Sequence, residues 1–210
     1  MEILDPNTFQ SSGKVVDIRE AWREGSWIGT FNLWIAQEIE GRRFLLYQQR
    51  AHDASWAPSC LDVAAGGHYE VGESLYDGLR EAKEELGKTY QQKDVCFLGR
   101  KLYLSDRNGY KIRNVVDVCI VRDDSPLTAF ELQEEELAGL FRCPIDELIR
   151  VHTEEGYAFV SEGLLVHQGI HQQATVTVTR DSFPYNWDSY HQKMTHLANR
   201  FLDGETHLFY

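Results

Sequence analysis

Residues 67–87, GHYEVGESLYDGLREAKEELG, decide how this chain is to be read. Glu81, Glu84 and Glu85 stand at i, i+3 and i+4, which places three carboxylates on one face of a helix, a turn apart. Like charges so close repel, and too few cations share their face to cancel them, so the arrangement calls for a cation from outside the chain. A hard divalent ion that takes oxygen ligands, Mg2+ or Mn2+, fits. Leu75, Leu79, Ala82 and Leu86 recur at i, i+4, i+7 and i+11 as the opposite, apolar stripe, with Ser74 as the expected N-cap and Gly87 as the expected stop. A charge run alone is commonly a solvated helix face. What distinguishes this one is the turn ahead of it, where Gly66, Gly67 and Gly72 let backbone approach a ligand closely.

Outward from this segment the chain alternates strands with two or three helices. Trp27 to Ile35 and Phe44 to Gln48 read as strands joined through Glu40-Gly41, and Leu61 to Ala64 feeds the glycine turn. Val95 to Leu104 and Val115 to Val121 read as a hairpin across Asp106-Arg107-Asn108-Gly109. Leu137 to Phe141 is a short strand, and Pro144 opens a helix through Ile145, Leu148 and Ile149. Trp187, Tyr190, Met194, Leu197, Ala198 and Phe201 keep helical spacing between a cap at Asn186 and a stop at Gly204.

The segment resembles the signature of the Nudix hydrolases: Gly, five residues, Glu, seven residues, Arg-Glu, an apolar residue, any residue, Glu-Glu, any residue, Gly, and an apolar residue. Gly67, Glu73, Arg80, Glu81, Ala82, Glu84, Glu85 and Gly87 match it. Two positions depart: six residues separate Glu73 from Arg80, and Lys88, expected to reach solvent, takes the last apolar place. The resemblance implies an α/β (α+β) fold, a Nudix-type α/β/α sandwich with a mixed sheet between helices. Residues 1–210 would form one domain, with a core over 27–152, an N-terminal strand segment over 1–26 and a C-terminal helical extension over 153–210.

It further implies catalysis by Glu73, Arg80, Glu81, Glu84 and Glu85. Metal would sit on Glu81, Glu84 and Glu85, which would neutralise substrate phosphates and activate water. Arg80 and Glu73 would hold the helix carboxylates and tie the loop to the helix. Gly66, Gly67 and His68 are the expected phosphate-binding residues, His68 being equally readable as an uninvolved loop histidine. The general base is not fixed by the motif; a helix glutamate or one of Glu134, Glu135 and Glu136 could serve.

The looser likeness of residues 1–150 is to the branch containing isopentenyl-diphosphate isomerase, which raises a rival activity. The isomerase keeps a cysteine before its Gly-His pair, where this chain has Gly66. Its metal-binding histidines align with Ala21 and Ile28, and its remaining carboxylates with Arg113 and Val115. No acid and base pair for allylic proton transfer is left. The expected reaction is therefore hydrolysis of a phosphoanhydride in a nucleoside diphosphate linked to another moiety, or in a related small organic diphosphate. An inactive binding module is the third reading, and the intact Arg80, Glu81, Glu84 and Glu85 speak against it. Trp22, Trp27, Trp34, Trp56 and Tyr47 are candidates for stacking on a substrate ring, with core packing their commoner fate.

Composition agrees. With 210 residues and 42% hydrophobic content, one core of useful size can form. A net charge of -12 and a pI near 5.1 exclude a duplex nucleic-acid binder. No apolar run reaches membrane-span length and the N-terminus carries no secretory pattern. Cys60, Cys96, Cys119 and Cys143 are scattered and expected to be free thiols, which suits a cytoplasmic location. The expected partner is a small-molecule diphosphate, with a homodimer as a compatible assembly.

Overall fold

The computed structural model describes residues 1–184 and 187–210. In chain order the elements are β1 (Glu2–Leu4), β2 (Ser11–Val15), α1 (Ile18–Glu24), β3 (Trp27–Ile39), β4 (Arg42–Arg50), β5 (Leu61–Asp62), β6 (Ala65–His68), α2 (Arg80–Leu86), β7 (Val95–Arg107), β8 (Tyr110–Arg122), β9 (Leu137–Pro144), α3 (Ile145–Thr153), β10 (Phe159–His167), β11 (Ile170–Val178) and α4 (Tyr190–Leu202). The strands join in the order β11-β10-β9-β4-β3-β1-β2, with β6 and β8 also on β3 and β7 on β8. The β3–β8 pairing is parallel and the others are antiparallel, so the sheet is mixed, as expected.

The sheet is covered on both faces because β3 is apolar on both. Trp34 and Ala36 point to one core, closed by Ile145, Leu148 and Val151 of α3 and by Met194, Leu197 and Ala198 of α4. Phe31, Leu33 and Ile35 point to the other, closed by Leu79, Ala82 and Leu86 at α2. This is the period of two of a central strand between two periods of 3.6, and it makes the α/β/α sandwich. Two hairpin turns follow the sequence reading: Glu40-Gly41 and Asn108-Gly109 all adopt positive φ, the left-handed geometry that two-residue connections need.

The fold also corrects several expectations. The segment after residue 153 contributes β10 and β11 as well as a helix, and β10 pairs with β9 as part of the main sheet. Residues 1–26 hold α1 in addition to strands, capped by the Asp17 side chain on the Arg19 N–H. Ser74 does not cap α2. The chain enters through a 3-10 turn at Asp77–Leu79, and Ser74 instead bonds the Asp77 carboxylate. Gly87 ends the helix in the left-handed region, as expected. Lys88 does not reach solvent: its ammonium lies 3.1 Å from Asp123 and 4.3 Å from the Phe130 ring centroid. Pro144 precedes α3 as its N-cap rather than lying in its first turn. Trp187 lies before α4 and is exposed, and the cap expected at Asn186 falls outside the described residues. The four cysteines are free, with Cys119 and Cys143 buried and Cys60 and Cys96 half-buried.

Candidate active site

The glycine turn becomes β6, laid against β3 with Gly66 opposite Asn32 and His68 opposite Thr30. That pairing brings β6 beside α2. The Gly66 N–H donates to Glu85 Oε2 at 3.2 Å, and Gln48 Nε2 reaches the same oxygen at 3.4 Å. Gly67 has no room for a side chain, since a Cβ there would overlap Glu81 Oε1. Arg80 gathers the remainder. Its guanidinium lies 2.7 Å from Glu73, 2.9 Å from Glu81 and 3.0 Å from Glu84, and it donates to the His68 carbonyl at 3.0 Å. Glu73 in turn accepts the Glu70 N–H at 2.7 Å, which ties the loop to the helix.

Burial and crowding set the charge state of these carboxyls. Glu81 and Glu85 are buried, while Glu84 is half exposed. Burial pushes Glu81 up to about 7, with Arg80 opposing and Glu84 and Glu136 adding to the rise. Glu85 is raised well above the usual carboxylate range by burial first, then by Glu81 and Glu136, against the help of the Gly66 N–H. Of the three acids ahead of β9, Glu136 is thus the one beside Glu81 and Glu85. Glu134 serves elsewhere: its carboxylate accepts the Gln168 and Gly169 N–H groups at 2.7 and 2.9 Å and closes the β10–β11 turn. Glu135 and Glu136 line the cleft.

That cleft is a cavity of about 780 Å3, lined by Glu81, Glu84 and Glu85 at one side and by Arg50, Arg107 and Trp56 at another. The Arg50 and Arg107 guanidiniums lie 5.1 and 5.4 Å from the Trp56 ring centroid, and neither has an ion-pair partner among the described residues. The sequence reading missed both arginines, which carry no motif and are brought together only by the β4 and β7 strand ends. Of the five aromatic candidates, Trp22 and Trp56 line the cleft, Trp34 and Tyr47 are core, and Trp27 packs edge-on against Phe9 at 5.2 Å. His68 lines the cleft from β6, its imidazole pushed down to about 4, mainly by burial.

None of the positions aligned with the isomerase brings an acid or a thiol to the cleft. Along β8, Tyr110, Ile112, Asn114 and Val116 line the cleft, and alternation turns Arg113 and Val115 away from it. Arg113 pairs with Asp106 at 2.6 Å and Val115 is buried. Ala21 and Ile28 are buried and apolar, and none of the four cleft-lining residues of β8 is an acid.

The donor set suits a hard divalent cation. Carboxylates crowd one another, Glu85 meets the Gly66 N–H, the Gln48 amide and the Glu136 carboxyl, and Gly67 clears space beside Glu81. Among the described residues no three potential ligands are already closed to ligand geometry, and Glu81 and Glu84 lie against the Arg80 guanidinium.

Comparison with known proteins agrees with this geometry. A relative from Clostridium acetobutylicum, an uncharacterized Nudix hydrolase, is 29% identical over 82% of this chain and 84% of its own. Nudix hydrolase 3 of Arabidopsis thaliana is 30% identical over 67% of this chain, which spans only 19% of that longer protein. The fold is matched by a crystal structure of a MutT/nudix family protein from Enterococcus faecalis, with a TM-score of 0.54 at 16% identity, over 84% of this chain and 62% of that one. A Deinococcus radiodurans structure gives 0.53 at 18% identity, over 73% and 89%. The NUDIX domain family profile matches residues 32–162, which takes in the glycine turn, all four helix-side charges and Glu136. With the helix glutamates gathered by Arg80 beside a glycine strand that bonds one of them directly, the chain belongs to the Nudix family.

Proposed function

We propose that this protein is a Mg2+- or Mn2+-dependent pyrophosphohydrolase that cleaves a phosphoanhydride bond in a nucleoside diphosphate linked to another moiety, or in a related small organic diphosphate. The observation that carries the reading is the meeting, in one cavity, of a crowded carboxylate set with two arginines that have no ion-pair partner among the described residues. Cation-binding and phosphate-binding groups are both needed to hold a diphosphate, and both face the same space.

Glu81, Glu84 and Glu85 would hold the metal. When bound, the ion would offset the charge of the substrate's phosphate oxygens. Arg50 and Arg107 would bind phosphate oxygens further along the cleft, with Trp56 fixing both guanidiniums. Arg80 and Glu73 act as positioning residues, holding the rotamers of the carboxylates. We assign the proton acceptor to Glu136: it stands beside Glu85 on the cavity wall, whereas Glu134 is committed to backbone N–H groups.

The test is a screen with Mg2+ or Mn2+ against nucleoside diphosphates and triphosphates, dinucleotides, nucleotide sugars, thiamine diphosphate and isopentenyl diphosphate, in water enriched in 18O. Label should appear in a phosphate product. Glu85→Gln should lower turnover by several orders of magnitude with the fold retained, and Glu136→Gln should lower kcat while keeping metal binding. Wild-type turnover in Glu85→Gln would refute the assignment. Metal-dependent formation of dimethylallyl diphosphate would restore the isomerase reading, which the side-chain-free Gly66 and the absence of acids on the cleft face of β8 argue against.

A further inference from the structure

The turn that carries Glu136 is pinned from a distant part of the chain. Between the buried Leu132 and Leu137 the backbone folds back, the Gln133 carbonyl accepting the Glu136 N–H at 3.1 Å and the Leu137 N–H at 3.0 Å. Two backbone bonds tie this turn to its neighbours: the Gln133 N–H donates to the Glu85 carbonyl of α2, and the Glu136 carbonyl accepts the N–H of Ala51, one residue past β4, each at 3.0 Å. Glu135 and Glu136 are exposed, so packing does little to fix their side chains. A further attachment comes from the Glu134 carboxylate, which reaches the turn between β10 and β11.

That contact has a defined geometry. Gln168 and Gly169 both adopt positive φ, 52° and 69°, the tight connection that the His167–Ile170 pair requires, and their N–H groups lie outside the strand ladder. Glu134 takes one on each oxygen: the Gln168 N–H donates to Oε1 at 2.7 Å and the Gly169 N–H to Oε2 at 2.9 Å. His167 Nδ1 lies 3.5 Å from the same carboxylate. The two N–H groups hold the Glu134 carboxyl below its ordinary range, so the anchor is charged and its bonds are charge-assisted. Neither Glu134 nor the β10–β11 turn lines the cleft.

Electrostatics gives the anchor a task. Glu136 acts on both Glu81 and Glu85 as a like charge, and repulsion of that kind drives the turn that carries it away from α2. Glu134, in the same turn, is bonded to the hairpin and opposes the movement. We propose that Glu134 is a positioning residue for hydrolysis: by clamping the β10–β11 turn it fixes the 133–136 turn, and with it holds the Glu136 carboxylate beside Glu85. This rests on the assignment of Glu136 as proton acceptor and extends it, giving a hairpin outside the cleft a part in the reaction.

The test is a double-mutant cycle on the full-length protein, with Mg2+ and the diphosphate cleaved fastest in the screen above. Glu134→Ala should lower kcat about tenfold, with KM and the calorimetric affinity for Mn2+ within about twofold of wild type and the far-ultraviolet circular dichroism unchanged. In the Glu136→Gln background the same substitution should change kcat by less than about twofold, because the carboxylate it positions is already gone. Glu134→Gln, which keeps one acceptor oxygen, should fall between wild type and Glu134→Ala. Wild-type kcat in Glu134→Ala, an equal loss in both backgrounds, or a rise in KM alone would overturn the positioning role while leaving the hydrolase reading intact. Wild-type turnover in Glu136→Gln would overturn the proton-acceptor assignment and the clamp with it, and no turnover of any diphosphate would overturn the hydrolase reading itself.

Discussion

Replacing His191 with Phe should change how stability responds to acid, by an amount the structure sets. His191 is 4% exposed in α4, ringed by Trp34, Tyr47, Phe183 and Tyr190 at centroid distances of 5.1 to 5.9 Å, and neither ring nitrogen has a partner among the described residues. Burial, with Lys101 and His152 adding, pushes its pKa down to about 3. The fold therefore holds it neutral. Its contribution is intact above the unfolded value of about 6.5 and is lost as pH falls toward the folded value, because the unfolded chain then takes up a proton that the native state refuses. At about 1.4 kcal/mol per pH unit, the roughly 1.5 units between pH 6.5 and pH 5 amount to about 2 kcal/mol. Glu81 and Glu85 act with the opposite sign: their folded pKa values are raised, so their cost at pH 7 in metal-free protein is relieved on acidification. Wild-type slopes mix the two, and the variant separates them. Urea unfolding at pH 7 and pH 5 for wild type and His191→Phe should give a double difference of about 2 kcal/mol, the variant losing less on acidification. A double difference near zero would show that His191 is protonated or hydrogen-bonded in the fold and refute the argument.

Three further outcomes follow from the site. Mg2+ or Mn2+ should raise the melting temperature in a concentration-dependent way, and Glu85→Gln should blunt that shift while stabilising the metal-free protein; no shift at millimolar metal would favour a solvated acidic face. Arg80→Lys, which keeps the charge but loses the fork that spans Glu73, Glu81 and Glu84, should cost about 10–100-fold in kcat and is checked by steady-state kinetics. Arg50→Met and Arg107→Met should each raise KM by about tenfold or more with kcat little changed, whereas an unaltered KM would remove them from phosphate binding.

The Nudix helix was legible in the sequence because its information is local: carboxylates at i, i+3 and i+4 with a left-handed Gly87 behind them require only a helix to converge. The opposite wall was not legible. Arg50 and Arg107 meet over Trp56 through the ends of β4 and β7, and no spacing along the chain encodes that meeting. β11 was passed over because its first half, Ile170 to Gln173, is exposed at a sheet edge and only Ala174, Val176 and Val178 alternate inward.

The one-residue shortfall between Glu73 and Arg80 acquires a meaning from the 3-10 turn at Asp77–Leu79. A 3-10 spiral climbs about 2.0 Å per residue against about 1.5 Å in an α-helix, so three residues wound tightly cover roughly the rise of four wound loosely. The shorter loop thus delivers Arg80 to Glu73 across the same gap, and the 2.7 Å contact between them is the sign that the gap is closed. A family signature counts letters, whereas the site is sensitive to ångströms. Chains in which a turn has been tightened by one residue can keep the chemistry and yet fall outside a pattern of fixed spacing, and are better recognised by the distances their charged groups must bridge.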